Sequence, residues 1–397
     1  MGIAIDRRWI ALAVLTTARV SMAFQFQSLA SVAPILVRDL GLGFADVGFL
    51  VGLYMLPGVV LAVPGGWLGE RFGDKRVVTA GLGLMVLGDL IAGFIPGYGA
   101  LLAGRLIAGT GGVLLNVLMT KMVTDWFAGR GLVLAITIYV NSFPIGMGIG
   151  LWWLGELGER AGWPAALHVT AAAALAALVL MVVAYRPHPN DRRPRAGADA
   201  ARRISLREVI LVSFPGAISG MVNGAYVIMV AFAPVLMIAA GWDIGTAGRV
   251  LSAVTWLNLA STQTGGLIAH RWSRRWNRLM VVGIGGWGIT LLLVPMIDPV
   301  LPLLAGGTLV GIAFGVVMSL PAEVLRPESR GVGMGVFFSL NYMGQAGLPP
   351  LGGAIQDLLG GTSASLYFAA FLVLAILPLF ALFRWAQHRQ GWAVSGT

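Results

Sequence analysis

Apolar stretches long enough to cross a lipid bilayer alternate with short polar ones along the whole chain. A spanning helix needs roughly 20 mainly apolar residues. Twelve stretches qualify: 9–36, 44–69, 77–97, 99–121, 131–155, 163–185, 209–238, 244–269, 279–297, 300–324, 331–357 and 363–385. The pattern predicts an all-α membrane protein with twelve transmembrane helices. Glycine is abundant at 56 residues, and in lipid small residues let helix backbones approach closely. Runs such as GLGLMVLG (81–88) and VGIGGWG (282–288) read as such packing seams.

Composition sharpens this reading. The chain is 57% hydrophobic and 11% charged, with a mean hydropathy of +0.84, whereas soluble domains carry about 25% charged residues. A soluble fold of this size lacks the charge to keep its exterior wet. With no cysteine, disulfides, thiolate metal sites and cysteine nucleophiles are excluded. The four histidines (168, 188, 270 and 388) are scattered, and no G-x-x-x-x-G-K-[ST] phosphate loop is present. No metal, cofactor or enzymatic activity is expected. Arg7-Arg8 ahead of an apolar run resembles an export signal, but without a convincing cleavage site it reads as an uncleaved first helix.

The charge of +10 is distributed topologically rather than as a nucleic-acid footprint. With the N-terminus inside, 22 of the 27 basic residues fall in cytoplasmic segments, and only Arg38, Arg160 and Arg249 fall outside. Both termini are therefore expected in the cytoplasm, in a bacterial-type inner membrane, with the lipid bilayer as partner. The polar segment RPHPNDRRPRAGADAARRISLRE contributes seven of the inside arginines. It divides the chain into a six-helix half at 1–185, a cytoplasmic linker at 186–208 and a second half at 209–397. Its charges suit a topology determinant near anionic lipid.

Residue n laid on n+200 aligns the halves. Ala33-Pro34-Ile35-Leu36 meets Ala233-Pro234-Val235-Leu236, Gly48 meets Gly248, and Gly66 and Arg71 meet Gly266 and Arg271. Arg130-Gly131 meets Arg330-Gly331, Asn141 meets Asn341, and Gly109 meets Gly311 after a two-residue slip. Six spans per half is an even number, so the two copies enter the membrane in the same sense. Parallel repeats of this kind are a transporter architecture, and a monomer suffices for it.

Between the second and third spans lies Gly66-Trp67-Leu68-Gly69-Glu70-Arg71-Phe72-Gly73-Asp74-Lys75, with a degraded copy at Gly266–Arg275. The stretch resembles the G-x-L-a-D-r-x-G-r-k signature of the major facilitator superfamily. Arg105-Leu106-Ile107-Ala108-Gly109-Thr110-Gly111 resembles that family's R-x-x-x-G-x-G motif. An acid at the inner end of the second span can face the positive N-terminal end of a neighbouring helix. The resemblance implies a cytoplasmic gate built from Gly66, Glu70, Arg71 and Gly73, with Arg271 in the second copy. Glu70 stands where the family has aspartate, position 74 is acidic where the family is usually basic, and His270 replaces the acid in the copy, where a weaker gate is expected.

Ionisable residues at mid-membrane cost roughly 2.5–3.5 kcal/mol on insertion scales and are functional candidates. Arg19, Asp89 and Arg105 qualify. Asp89 and Arg105 lie at similar depths, so they form either a buried pair or a proton site centred on Asp89. Arg19 has no acid at its level, and a guanidinium beside a cavity suits a planar anion gripped by two hydrogen bonds; snorkelling or carbonyl contacts are the alternative. Polar stripes accompany these charges: Arg105, Gly109, Gly112 and Asn116; Ser219, Asn223 and Tyr226; Thr255, Asn258 and Thr262; Asn341 and Gln345. With Asn141 they read as a polar cavity or, taken singly, as interhelical glue. Pro144, Pro349 and Pro350 are expected to break their helices.

The resulting expectation is a secondary transporter of a small organic or inorganic anion, working by alternating access and driven by protons. The substrate ligands would be Arg19, Arg105, Asn141, Asn223, Tyr226, Asn341 and Gln345. The run from Phe24 to Arg76 resembles the cyanate-permease-like branch of the superfamily. A proton-driven multidrug exporter of the same fold is the alternative, although arginine rather than acid in the first span and Phe143 before Pro144 depart from that pattern. A non-transporting membrane sensor is the third reading.

Overall fold

The computed structural model describes residues 6–62, 64–129, 131–188, 204–271, 276–326 and 329–389, with the backbone alone at 266–271 and 276. The helices are α1 (Arg7–Ser31), α2 (Ala33–Leu40), α3 (Phe44–Leu53), α4 (Leu56–Leu61), α5 (Pro64–Phe72), α6 (Asp74–Phe94), α7 (Tyr98–Phe127), α8 (Leu132–Ala161) and α9 (Trp163–Val183). There follow α10 (Leu206–Ala239), α11 (Ile244–Arg271), α12 (Trp276–Leu293), α13 (Val300–Ser319), a 3-10 turn (Leu320–Glu323), α14 (Arg330–Leu359) and α15 (Ala364–Arg389). Each predicted span is covered, the first by α1 and α2, the second by α3, α4 and α5. Among the described residues, nine helices are long and apolar enough to cross a membrane. Most of the predicted linker, residue 130 and the side chains of the second motif copy lie outside the described residues.

Proline decides where spans break, but not where the sequence suggested. Pro144 sits inside unbroken α8, and Pro349 and Pro350 inside unbroken α14. The expected breaks there are absent, because packed neighbours and local adjustment absorb the freed carbonyls within a helical bundle. The first span instead breaks at Val32, ahead of Pro34 near the start of α2. The second breaks at Tyr54-Met55, where Pro57 enters the first turn of α4. Proline is tolerated in a first turn, where its missing N–H is needed by no partner.

The chain forms two compact units, residues 1–32 with 53–196, and residues 33–52 with 197–397. In the first unit α1 packs on α8 and α9, α6 on α7 and α9, and α4 on α7. In the second, α10 packs on α14 and α15, α12 on α13 and α15, and α11 on α13. These are the same pairings displaced by six spans, so the repeat read from residue identities is also a repeat of packing.

Glycine makes those pairings close. A Cβ at Gly88 would come within 2.6 Å of the Ala108 nitrogen, and one at Gly81 would meet Gly111 of α7. The equivalent seam in the second unit brings Gly283 within 2.8 Å of the Leu309 carbonyl oxygen by the same construction. Both predicted glycine runs are therefore packing seams. Gly146 of α8 meets the backbone of Val20, and Gly344 of α14 meets that of Gly220, near-equivalent points of the two copies. Gly109 faces the backbone of Tyr54, and Gly311 faces that of Asn258 and Thr262.

The segment Ala33–Gly52 belongs to the first half in sequence but packs with the second unit. Asp357, near the end of α14, accepts hydrogen bonds from the backbone N–H groups of Phe44 (2.9 Å) and Ala45 (2.8 Å). Asp46 accepts one from Gly43 at 3.2 Å. Two carboxylates thus satisfy the opening N–H groups of α3, which have no partner within the helix. Gly48 approaches the Pro349-Pro350 backbone, Gly353 approaches that of Phe44, and the Phe44 and Phe232 rings meet edge to face at 6.2 Å.

Two measurements test this packing. Gly109→Val forces a side chain against the Tyr54 backbone and is expected to destabilise the protein by about 1–3 kcal/mol, read as a lower melting temperature in detergent. Gly66→Ala, where an added Cβ meets nothing within 4 Å, should leave it unchanged. Asp357→Ala removes an exposed cap worth about 1 kcal/mol. Hydrogen exchange at the start of α3 should then quicken about fivefold, with α6 and α7 unaffected.

Candidate functional site

In the first unit the two mid-helix arginines have opposite fates. Arg105 of α7 is fully buried. Its terminal nitrogens donate to the main-chain carbonyls of Gln25 and Phe26, both at 3.1 Å, and its guanidinium carbon lies 4.6 Å above the Tyr54 ring. Tyr54 in turn donates to Gln25 Oε1 (3.1 Å), and Gln25 Nε2 donates to the Met85 carbonyl (2.9 Å). This network ties α7, the second span and α6 to α1, with the terminal nitrogens of Arg105 bonded to main-chain carbonyls. Asp89, also fully buried, accepts from the Thr170 hydroxyl of α9. Arg105 and Asp89 are within electrostatic reach of each other, and Gln25 of α1 meets both, its carbonyl accepting from Arg105 and its side chain bonding Asp89. The predicted stripe Arg105-Gly109-Gly112 is a packing surface as well, with a Cβ at Gly112 falling 2.5 Å from the Tyr54 hydroxyl.

Arg19 is thirteen residues into the 25-residue helix α1 and therefore near its middle. Its guanidinium carbon lies 4.4 Å from the Tyr139 ring centroid and 5.7 Å from that of Phe143, both on α8. Among the described residues its Nε is buried without a hydrogen-bond partner, as is the Tyr139 hydroxyl. Tyr139, Phe143, Gly146 and Gly150 recur at helical spacing on the face of α8 that meets α1. That aromatic spacing was visible in the sequence, where only the polar stripes were read. Asn141 is two residues from Tyr139, about half a turn round the helix, and so does not share this face.

The second unit gathers the amides. Asn341 Oδ1 accepts from Ser219 Oγ (2.9 Å) and from Asn223 Nδ2 (3.0 Å), joining α10 to α14. Gln345, one turn beyond Asn341, is also buried. The Tyr226 hydroxyl and Thr255 Oγ1 share a hydrogen bond of 2.9 Å between α10 and α11. Members of the predicted stripes therefore meet in two groups, Asn341 with Ser219 and Asn223, and Tyr226 with Thr255.

At the signature loop, α5 stops at Phe72, Gly73 turns the chain at φ 89°, and α6 begins at Asp74. A left-handed φ of this kind favours glycine. Asp74, unexpectedly acidic in the sequence, is buried and paired with Lys121 of α7 at 2.8 Å. Gly69 must be glycine to admit the Asp74 carboxylate, whereas Gly66 has open space around it. Lys75 donates to the carbonyls of Val182 (3.1 Å) and Tyr185 (2.6 Å) at the end of α9. Arg71 lies 5.2 Å over the Trp67 ring, and Glu70 is half-buried. The Arg271 side chain lies outside the described residues. Sequence reasoning missed a counterpart in the second unit, where Glu208 accepts from Ser329 Oγ (2.6 Å) and the Arg326 nitrogen (3.3 Å), joining the starts of α10 and α14. Among the described residues no three His, Cys, Asp or Glu side chains gather as a metal site.

Comparison with known proteins agrees with this architecture. The multidrug efflux pump LfrA of Mycolicibacterium smegmatis is 30% identical over 195 residues, covering 48% of this chain and 38% of LfrA. The puromycin resistance protein pur8 of Streptomyces alboniger is 27% identical over 343 residues, 82% of this chain and 64% of pur8. In both cases the match spans less than two thirds of the relative's length. A crystal structure of a bacterial homologue of the human lysosomal transporter Spinster, in an inward-facing and occupied conformation, superposes with a TM-score of 0.78. It is 14% identical and covers 96% of this chain and 97% of its own, a likeness of fold. The sequence profile described as Major Facilitator Superfamily matches residues 15–275 and 216–397. The chain is a multi-pass membrane protein and belongs to the Major Facilitator Superfamily.

Proposed function

We propose that the protein is a secondary transporter that moves a small anion across a bacterial inner membrane by alternating access, coupled to protons. Both termini would lie in the cytoplasm, and the protein would act as a monomer. The observation that carries this reading is Arg19, a cation half-way along a membrane helix whose Nε has no acceptor among the described residues. Arg19 is half-buried, and a charge held partly out of water without a hydrogen-bonded partner is costly, a cost that a bound anion would offset. Asn223, Asn341, Gln345 and Tyr226 would sort the cargo by shape, and Asn141 would serve the same purpose from the first half. Arg105 would set the position of α1 rather than touch cargo. Asp89, buried and accepting from Thr170, is the candidate proton carrier. Gly66, Glu70, Arg71 and Gly73, with Arg271, would form the cytoplasmic gate.

A second reading is proton-driven multidrug export. The names of LfrA and pur8 favour it, while Arg19, whose Nε has no acceptor among the described residues, favours the anion.

The deciding measurement is thermal stability of the purified protein against small carboxylates, inorganic anions, neutral solutes and bulky cationic drugs. A ligand at 100 times its dissociation constant stabilises the folded state by about 2.7 kcal/mol. The expected outcome is a higher melting temperature with particular anions, lost in Arg19→Ala. Stabilisation by bulky cations alone would overturn the anion reading in favour of export. In proteoliposomes, uptake of the stabilising anion should follow an imposed proton gradient and collapse with a protonophore.

A further inference from the structure

The Arg19 stack contains a second polar group without a partner. Tyr139 is fully buried, and its hydroxyl meets no hydrogen-bond partner among the described residues. Buried hydroxyls are nearly always satisfied, and leaving one unsatisfied costs about 1–3 kcal/mol. Phenylalanine would fill the same space and stack on the guanidinium equally well, so stacking does not account for the hydroxyl. The ring lies 4.4 Å from the Arg19 guanidinium carbon, and the hydroxyl projects from the rim of that ring. Two donors, Arg19 Nε and the Tyr139 hydroxyl, therefore occupy one stack with no acceptor for either among the described residues. One turn earlier on α1, the Thr16 hydroxyl is also buried with no partner among them.

We infer that Arg19 and Tyr139 together form a binding site for a small carboxylate, with Tyr139 as the residue that sets specificity. A carboxylate offers two coplanar oxygens with two lone pairs each, so both can take the guanidinium fork while one also accepts from the phenol. Arginine recognises that planar geometry through its rigid fork of donors. The faces of Tyr139 and Phe143 hold the guanidinium against α8, so its orientation is fixed before the anion arrives. Chloride, a spherical ion with one centre, lacks the planar pair of oxygens that matches the fork. This inference rests on the anion reading of Arg19 and goes beyond it by naming the ligand class and a second ligating residue.

The test is titration of the purified full-length protein with sodium benzoate and sodium acetate, with sodium chloride at equal ionic strength as the control. Wild-type protein, Tyr139→Phe, Arg19→Ala, Arg19→Lys and the Tyr139→Phe/Arg19→Lys double variant are compared by melting temperature and by isothermal titration. Tyr139→Phe deletes one unpartnered hydroxyl and keeps the ring, so its melting temperature without ligand should equal or exceed that of wild type. Its carboxylate dissociation constant should rise about tenfold, the effect of losing one hydrogen bond to a charged group. The double variant should lose less than the two single losses combined, because both residues act on one anion. Unchanged carboxylate affinity in Tyr139→Phe, with binding lost in Arg19→Ala, would overturn the role of Tyr139 and leave the anion reading intact. Full carboxylate binding by Arg19→Ala would overturn both, whereas no benzoate or acetate binding to wild type would overturn the carboxylate site and leave inorganic anions to the anion reading. The Arg19→Lys comparison keeps the question open to disproof if Tyr139→Phe fails to fold. Lysine keeps the charge but lacks the fork, so undiminished affinity there would also overturn the clamp.

Discussion

The close approach of helix backbones at glycine is the constraint on which the rest of this structure depends. Lipid tails are as apolar as leucine, so burying an apolar side chain between membrane helices brings little gain. Association rests on van der Waals contact and interhelical hydrogen bonds. At Gly81, Gly88 and Gly111 between α6 and α7, and at Gly220 and Gly344 between α10 and α14, an added Cβ would collide with the facing helix. The same economy shapes both units, which explains why the two sets of helix pairings correspond. Gly146 has a further consequence. By letting α8 lie against the α1 backbone at Val20, it brings Tyr139 and Phe143 within reach of Arg19.

Two mid-helix arginines, Arg105 fully buried and Arg19 half-buried, differ in what their guanidinium groups meet. Arg105 is neutralised by geometry, with two main-chain carbonyls, an aromatic face and a nearby buried carboxylate compensating its desolvation. A guanidinium so satisfied is a tie between helices. Among the described residues Arg19 meets the two aromatic faces, and its Nε has no acceptor. Cation–π contact recovers about 2 kcal/mol when desolvated, which falls short of replacing a hydrogen-bonded counter-charge. The contrast, more than the presence of a charge in the membrane, singles out α1 as the place to look for cargo.

The carboxylates at helix ends follow a different logic. Asp74 pairs with Lys121, Glu208 closes a capping box with Ser205 and also takes the Ser329 hydroxyl, and Asp357 caps α3. Each binds an end of one helix to another segment. Of these acids the sequence marked only Asp74, as a departure from the family pattern beside Gly73. The contact with Lys121 explains it, since a buried acid is tolerable once paired and the absent Cβ at Gly69 makes the room.

The sequence by itself determined the number of spans, their order, the duplication and the family, because these follow from hydropathy run length, charge asymmetry and residue identity at a fixed offset. It also marked Arg19 and the amide stripes of α10, α11 and α14, since polar residues in apolar runs stand out without any structure. It misjudged the prolines, because whether Pro144 or Pro34 interrupts a helix depends on what neighbouring helices supply to the freed carbonyl. It placed Arg105 with the substrate ligands, because nothing in one dimension reveals that the Gln25 and Phe26 carbonyls point at it. Only the tertiary structure decided that residues 33–52 pack with the second unit and that Tyr139 meets Arg19. Both are contacts between segments far apart in the chain. Their energies depend on distances of a few ångströms that no local pattern encodes.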